Sequence, residues 1–395
     1  MVFDSRDALW PNYNPPRDLI FTHGKGSELF SEQGDAYLDF LSGIAVTSFG
    51  HAHPHLISAL NEQAAKIWHV SNLFRIPAAE RLAQRLVDVS FADNVFFANS
   101  GAEAVEAGLK AMRSYHAANG NPQRTRIIGF NSSFHGRTIA TVAVAGNKSH
   151  TQNFVPSDQG FDHIEWGNTE SLRNAINSST AGVLLEPIQG EGGIRPVSKE
   201  YLTEVRKLCN EEGVLLMFDE VQCGVGRSGH FFAHQHYAVY PDVMALAKGL
   251  GGGFPIGACL TNKAVGKTMV VGTHGSTFGG NPLAAAVGNA VMDLLLEEGC
   301  LAGVTKKGEY LHNELSRLQR KHQKLIDSLH GLGLMIGIKC KIPNTELATA
   351  LKKRGLLVGE CGSNMVRLLP PLNIEHSHLK KAIATIDSVL EGMQG

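Results

Sequence analysis

Two hydrophobic periods alternate between residues 79 and 260. Short apolar runs at Asn94–Ala98, Arg126–Phe130, Val183–Leu185, Val214–Phe218 and Val243–Ala247 predict buried strands. Between them apolar residues recur at helical spacing. Leu82, Leu86 and Val89 mark one helical face, and Val105, Leu109 and Met112 mark another. A further helix is expected over Lys199–Glu212. Such alternation predicts an α/β fold, a parallel sheet with helices on its faces. Residues 1–48 differ: turn residues such as Pro11, Pro15 and Gly34 surround short strand-like pieces, among them 36–40. From about residue 282 the helices lengthen, and strands at Leu334–Cys340 and Met365–Leu369 predict a small α+β unit. Its last helix shows Leu379, Ile383, Ile386 and Leu390 on one face.

Composition narrows the class without changing this picture. A length of 395 residues exceeds one compact core, so two domains are expected. A net charge of −1 gives no reason to expect nucleic acid or an anionic membrane as partner. No apolar stretch approaches the ~18 residues needed to cross a bilayer. Met1–Arg6 shows no export signal, and the six cysteines show no CxxC spacing, which together predict reduced thiols in a cytoplasm.

Asp219 and Lys248 each sit just past an apolar run. Ligands of parallel sheets bind beyond the strands' carboxyl ends, so an acid and an amine would meet at that edge. Pyridoxal phosphate chemistry needs such a pair: a lysine to bond the cofactor and an acid to keep its ring nitrogen protonated. By spacing alone, two solvated strand-end charges fit equally well. Asn99–Ala102 lies between a strand and a helix, where free amides and the helix dipole suit a phosphate. An ordinary N-cap serine explains the same residues. The glycine-rich Gly275–Asn281 loop is a second phosphate candidate. Neither loop matches GxxxxGK[ST] or GxGxxG, which counts against a nucleotide enzyme. His51, His53 and His55 alternate, but Pro54 interrupts them and no further ligands stand near, so a turn is expected there and no metal site.

Phe218–Gly229 reads FDEVQCGVGRSG and resembles the DEVQ-x-G-x-GR[ST]G segment of class III (ornithine-type) aminotransferases. Ala247–Gly253 resembles their lysine loop. Asn99–Ala104, Phe134–Thr138, Glu186–Gly193 and the Thr277 loop match further motifs in the family's order, almost end to end. Tyr13–Pro15, Ser42–Val46 and Trp68–Asn72 make the acetylornithine-specific branch the most similar. The resemblance implies a fold-type I pyridoxal phosphate transferase. Its large domain would hold a mainly parallel seven-stranded sheet over residues 49–281. A smaller α+β domain would comprise 282–395, with 1–48 contributing to it. It also implies a homodimer with active sites at the interface. Lys248 would be the cofactor-bonding lysine and Asp219 the partner of the ring nitrogen. Gln222 would bond the ring hydroxyl and Phe134 would stack on the ring. Ser100, Gly101 and Ala102 would hold the phosphate, which Thr277 would reach from the other subunit. Arg137, with Ser276 nearby, would grip the substrate carboxylate at the acylated end, and Tyr13 would also contact the substrate. Arg367 would grip the α-carboxylate of glutamate, with Glu191 as its switchable partner.

The implied reaction joins acetylornithine and 2-oxoglutarate in arginine biosynthesis, with glutamate as one product. Other amino donors remain open: succinylornithine, N-succinyl-diaminopimelate, 4-aminobutyrate and ornithine. Ile44 stands where ornithine enzymes of the family carry a tyrosine, and an apolar side chain there disfavours a free ammonium. A mutase or decarboxylase would not need Arg137, Glu191 and Arg367 together. A binding protein without catalysis would not need the lysine, acid and phosphate set.

Overall fold

The computed structural model describes residues 8–16, 18–147, 151–152, 154 and 160–394. The amino-terminal stretch read for an export signal, Met1–Arg6, lies outside them. At the centre is a seven-stranded sheet. In chain order its strands are β1 (Asn94–Ala98), β2 (Arg126–Phe130), β3 (Phe161–Ile164), β4 (Thr180–Leu185), β5 (Leu215–Asp219), β6 (Val243–Leu246) and β7 (Gly257–Thr261). The spatial order is β1-β7-β6-β5-β4-β2-β3. β7 runs antiparallel to both neighbours, β6 and β1, while the other pairings are parallel.

Every residue of β4, β5 and β6 is buried. Side chains alternate between faces along a strand, so an unbroken apolar run needs cover on both sides. Leu215 and Met217 pack with Val105, Leu109 and Met112 of the helix Gly101–Ala118. Leu216 and Phe218 point the other way, onto Leu202, Val205 and Leu208 of Lys199–Glu212. That second helix starts on Ser198, whose hydroxyl accepts from Tyr201 N–H. It ends at Gly213, whose φ of +62° suits the left-handed cap.

Two smaller sheets flank this layer. Ile326–Leu332, Met335–Cys340, Met365–Leu368 and Gly359–Cys361 pair antiparallel in that order. Arg367 lies in an inner strand, opposite Gly337 and Gly359. The early strands Phe21–Lys25, Glu28–Ser31 and Ala36–Asp39 form a third sheet, completed by Leu356–Leu357. Leu369 N–H donates to Phe40 C=O, so the early segment borders the Arg367 strand. Among the described residues, no helix is long and apolar enough to cross a membrane. No group of residues that could hold a metal ion occurs among them either. His51 instead bonds Asp39 at 2.7 Å, His55 bonds Asp293 at 3.0 Å, and His53 precedes the helix Pro54–Ala64.

Candidate active site

A cavity of about 320 Å³ opens where the parallel strands end. Asp219 is the last residue of β5 and pairs in register with Ala245 of β6; Lys248 follows two residues after β6. The sheet therefore brings the acid and the amine to one edge, and both line the cavity. Lys248 holds φ at +45°, a left-handed value that an L-residue adopts only when its surroundings enforce it. Ser100, Gly101 and Ala102 line the same space where β1 passes into its helix. Ser100 caps that helix through Glu103 N–H. Phe134, Val221, Gln222 and Glu191 complete much of the wall.

Polar contacts connect these residues. His135 Nδ1 pairs with Asp219 Oδ2 at 2.7 Å, and Val221 N–H donates to Asp219 Oδ1 at 2.9 Å. Arg367 Nη1 donates to Glu191 Oε1 at 2.5 Å and to Gln222 Oε1 at 3.0 Å. Arg367 is 1% exposed, whereas the Glu191 side chain keeps 32% of its surface open. An ion pair with one buried and one accessible partner can separate from one side only. Burial lowers the Lys248 ammonium to about 8; Arg367 adds to the fall, while Glu191, Asp219 and Glu186 oppose it. Burial also works to raise the Glu191 carboxyl, but Arg367, Lys248 and Gln222 outweigh it and hold the group below the usual carboxylate range. Burial raises Glu186 to about 7, with Asp219 adding to the rise and His135 and two backbone amides opposing it.

The remaining expected residues lie outside this wall. Arg137 is exposed, with its guanidinium 5.2 Å from the centre of the Phe134 ring. Ser276 borders a neighbouring cleft and accepts from Asn99 Nδ2 at 3.2 Å. Thr277 and Tyr13 are exposed and border neither the cavity nor that cleft. His135 and Glu186 were not singled out by sequence reasoning, although both sit inside motifs it used. Only the folded chain shows His135 facing Asp219 from 84 positions away. A glutamate before Pro187 gives no sign of its burial.

A model of the class-III aminotransferase family matches residues 11–390. An acetylornithine aminotransferase of Mesorhizobium japonicum is 49% identical, covering 95% of this chain and 94% of its own. A succinylornithine transaminase/acetylornithine aminotransferase of Pseudomonas aeruginosa is 45% identical, covering 94% and 92%. The solved ornithine aminotransferase of Toxoplasma gondii, reported with partial occupancy of pyridoxal phosphate at its active site, superposes with a TM-score of 0.94. It is 30% identical and covers 98% of this chain and 93% of its own. With the matched sequence running through the sheet edge, the lysine loop and the Arg367 strand alike, this chain belongs to the class-III aminotransferase family, on the fold-type I scaffold.

Proposed function

We propose that the chain transaminates N2-acetyl-L-ornithine with 2-oxoglutarate, giving N-acetyl-L-glutamate 5-semialdehyde and L-glutamate in arginine biosynthesis. The buried Arg367 paired with the more accessible Glu191, beside Lys248, carries this reading. Identity near half with acetylornithine aminotransferases along the chain supports the amino donor.

Pyridoxal phosphate is the cofactor, and the cavity fits it. Gly101 lets the start of its helix pack directly against Val221 in the cavity wall, since a Cβ there would stand 2.8 Å from Val221 Cγ1. Gly101 and Ala102 begin an 18-residue helix, whose first amides and dipole suit a phosphate. Asp219 would hold the ring nitrogen protonated, with His135 behind it. Phe134 would cover one ring face and Gln222 would reach the ring hydroxyl. When bound, the group supplies an electron sink for the carbon that loses its proton.

This chain's residues do the rest. Lys248 Nζ, lowered to about 8, would take the proton from the amine-bearing carbon of the donor in the first half-reaction and give one to the keto carbon of 2-oxoglutarate in the second. Acetylornithine has no carboxylate on that carbon, so Arg367 stays neutralised by Glu191. Glutamate has one, so Glu191 swings out and Arg367 takes the carboxylate. Arg137, Ser276 and Tyr13 would receive the acylated end.

We further propose a homodimer in which Thr277 serves the neighbouring subunit's site. Leu73, Phe74, Val270, Val271 and Phe278 are exposed apolar residues flanking its loop or the adjoining cleft, a patch that fits a second copy. Residues 49–281 are assigned to the large domain, and 1–48 with 282–395 to the small one. Their sheets adjoin through Leu356–Leu357, which supports the grouping. Six unpaired thiols favour a cytoplasmic setting. Succinylornithine is the second reading, favoured by the Pseudomonas relative that bears both names. The test is single-turnover kinetics with acetylornithine, succinylornithine, ornithine and 4-aminobutyrate. Acetylornithine should react fastest; a faster reaction with ornithine or 4-aminobutyrate overturns the assignment.

A further inference from the structure

Glu186 follows β4, is 4% exposed and borders the cavity. Its Oε1 accepts the N–H of Phe134 at 3.1 Å, and its Oε2 accepts the N–H of Gly190 at 2.9 Å. One carboxyl thus bridges two loops. The first carries Phe134, and the second carries Glu191 directly after Gly190. The second loop is fixed elsewhere too. Glu191 C=O accepts from Gly362 N–H at 2.8 Å, and Gly192 C=O accepts from Ser363 Oγ at 3.0 Å. Gly190 packs against the Gln222 side-chain amide, where a Cβ would stand 2.4 Å from Gln222 Oε1.

We propose that Glu186 is a positioning residue: it pins the backbone from which Glu191 swings, and locks that backbone to the loop of Phe134. The inference rests on the Glu191–Arg367 switch proposed above. A side chain that changes partner gains precision when its own backbone stays still. Both anchoring bonds end on one rigid carboxylate, so the two loops cannot drift independently. Burial works toward the neutral carboxyl, whereas the two amide donors work toward the ion. In either state each oxygen keeps a lone pair for its donor.

The test uses Glu186→Gln and Glu186→Asp. The amide keeps the volume but sets an NH₂ against one of the two backbone N–H groups. The aspartate keeps the charge but is one methylene short of bridging both loops. Hydrogen exchange, followed by mass spectrometry with and without cofactor, should quicken in peptides covering Phe134 and Gly190–Glu191. One lost buried hydrogen bond corresponds to roughly 10-fold faster local exchange. Single-turnover rates should shift roughly 10-fold toward glutamate relative to acetylornithine in both variants, because a displaced Glu191 neutralises Arg367 less well. Unchanged exchange at both loops overturns the proposal. So does an equal loss in the two half-reactions. A wild-type protein that fails to use acetylornithine sinks the functional reading instead, and exchange alone then decides whether Glu186 is the pin.

Discussion

Lys248 is held where its charge is unfavourable, and that has a measurable cost without cofactor. Its folded value of about 8 lies below the 10.5 of an unfolded lysine. The unfolded chain therefore binds the extra proton between those values, so stability rises with pH across that window. Below pH 8 the penalty is complete, on the order of 3 kcal/mol. Lys248→Met in cofactor-free protein should thus stabilise the fold at pH 7 and hardly at all near pH 10.5. Calorimetry at the two pH values checks this, and an equal gain at both would refute it. In the proposed switch, the charge of Arg367 is needed instead. Arg367→Ala should cost the glutamate half-reaction about 2–5 kcal/mol while sparing acetylornithine, and Glu191→Ala should favour glutamate. Equal losses for both donors in single-turnover kinetics would reduce the pair to a structural contact. Asp219 and Lys248 were legible in the sequence because each interrupts an apolar run that had to be buried. Glu186 and His135 were not, because their meaning lies in partners that only the sheet brings near.

Where strands and helices meet, the glycines mark the close approaches. Gly257 opens β7 opposite Ala98, the last residue of β1, beside the turn that starts the helix Gly101–Ala118. A Cβ there would stand 2.2 Å from Ser100 C=O, a backbone atom that cannot rotate away. Gly257→Ala should therefore displace Ser100 and Gly101 together and weaken cofactor binding at least ~10-fold, with a loss of roughly 1–3 kcal/mol in stability from the overpacking. Cofactor titration and thermal melting read the two effects; unaltered cofactor affinity would show that the turn can yield. Periodicity located β1, β2 and the helix Lys199–Glu212 to the residue, since unbroken apolar runs and caps are local signals. The antiparallel direction of β7 was not legible, because strand direction is set by the route of the chain between strands. Nor was the left-handed turn at Ser42–Ala45, where φ lies between 49° and 65°. Its strain, about 1–2 kcal/mol for each non-glycine residue, is offset by Asp39. That carboxylate accepts from Leu41 and Ser42 N–H and pairs with His51.

At the scale of the molecule, the phosphate side of the cavity within one chain is lined by Ser100, Gly101 and Ala102. Gly101 and Ala102 line the cavity, but Thr277, the hydroxyl that the family resemblance assigns to the phosphate, is exposed and borders neither cavity nor adjoining cleft. Its loop lies beside Phe278, Val270 and Val271, apolar residues that a monomer would leave in water. Sequence alone could name Thr277 but not place it, because a contact between copies, as proposed for it, would leave no periodicity along one chain. If the loop completes the neighbouring subunit's site, defects in Thr277 and Lys248 fall on different sites of a mixed dimer. Lys248→Ala subunits combined with Thr277→Ala subunits give heterodimers in which one site carries both defects and the other carries neither. Activity should then return toward half the wild-type value per heterodimer after subunit exchange, monitored by mass spectrometry of labelled chains. If Thr277 served its own subunit, each heterodimer site would carry one defect, and mixing would restore nothing despite complete exchange. The outcome depends on which subunit each residue serves, not on how severe either substitution is, so it separates the two arrangements even if both single variants are inactive.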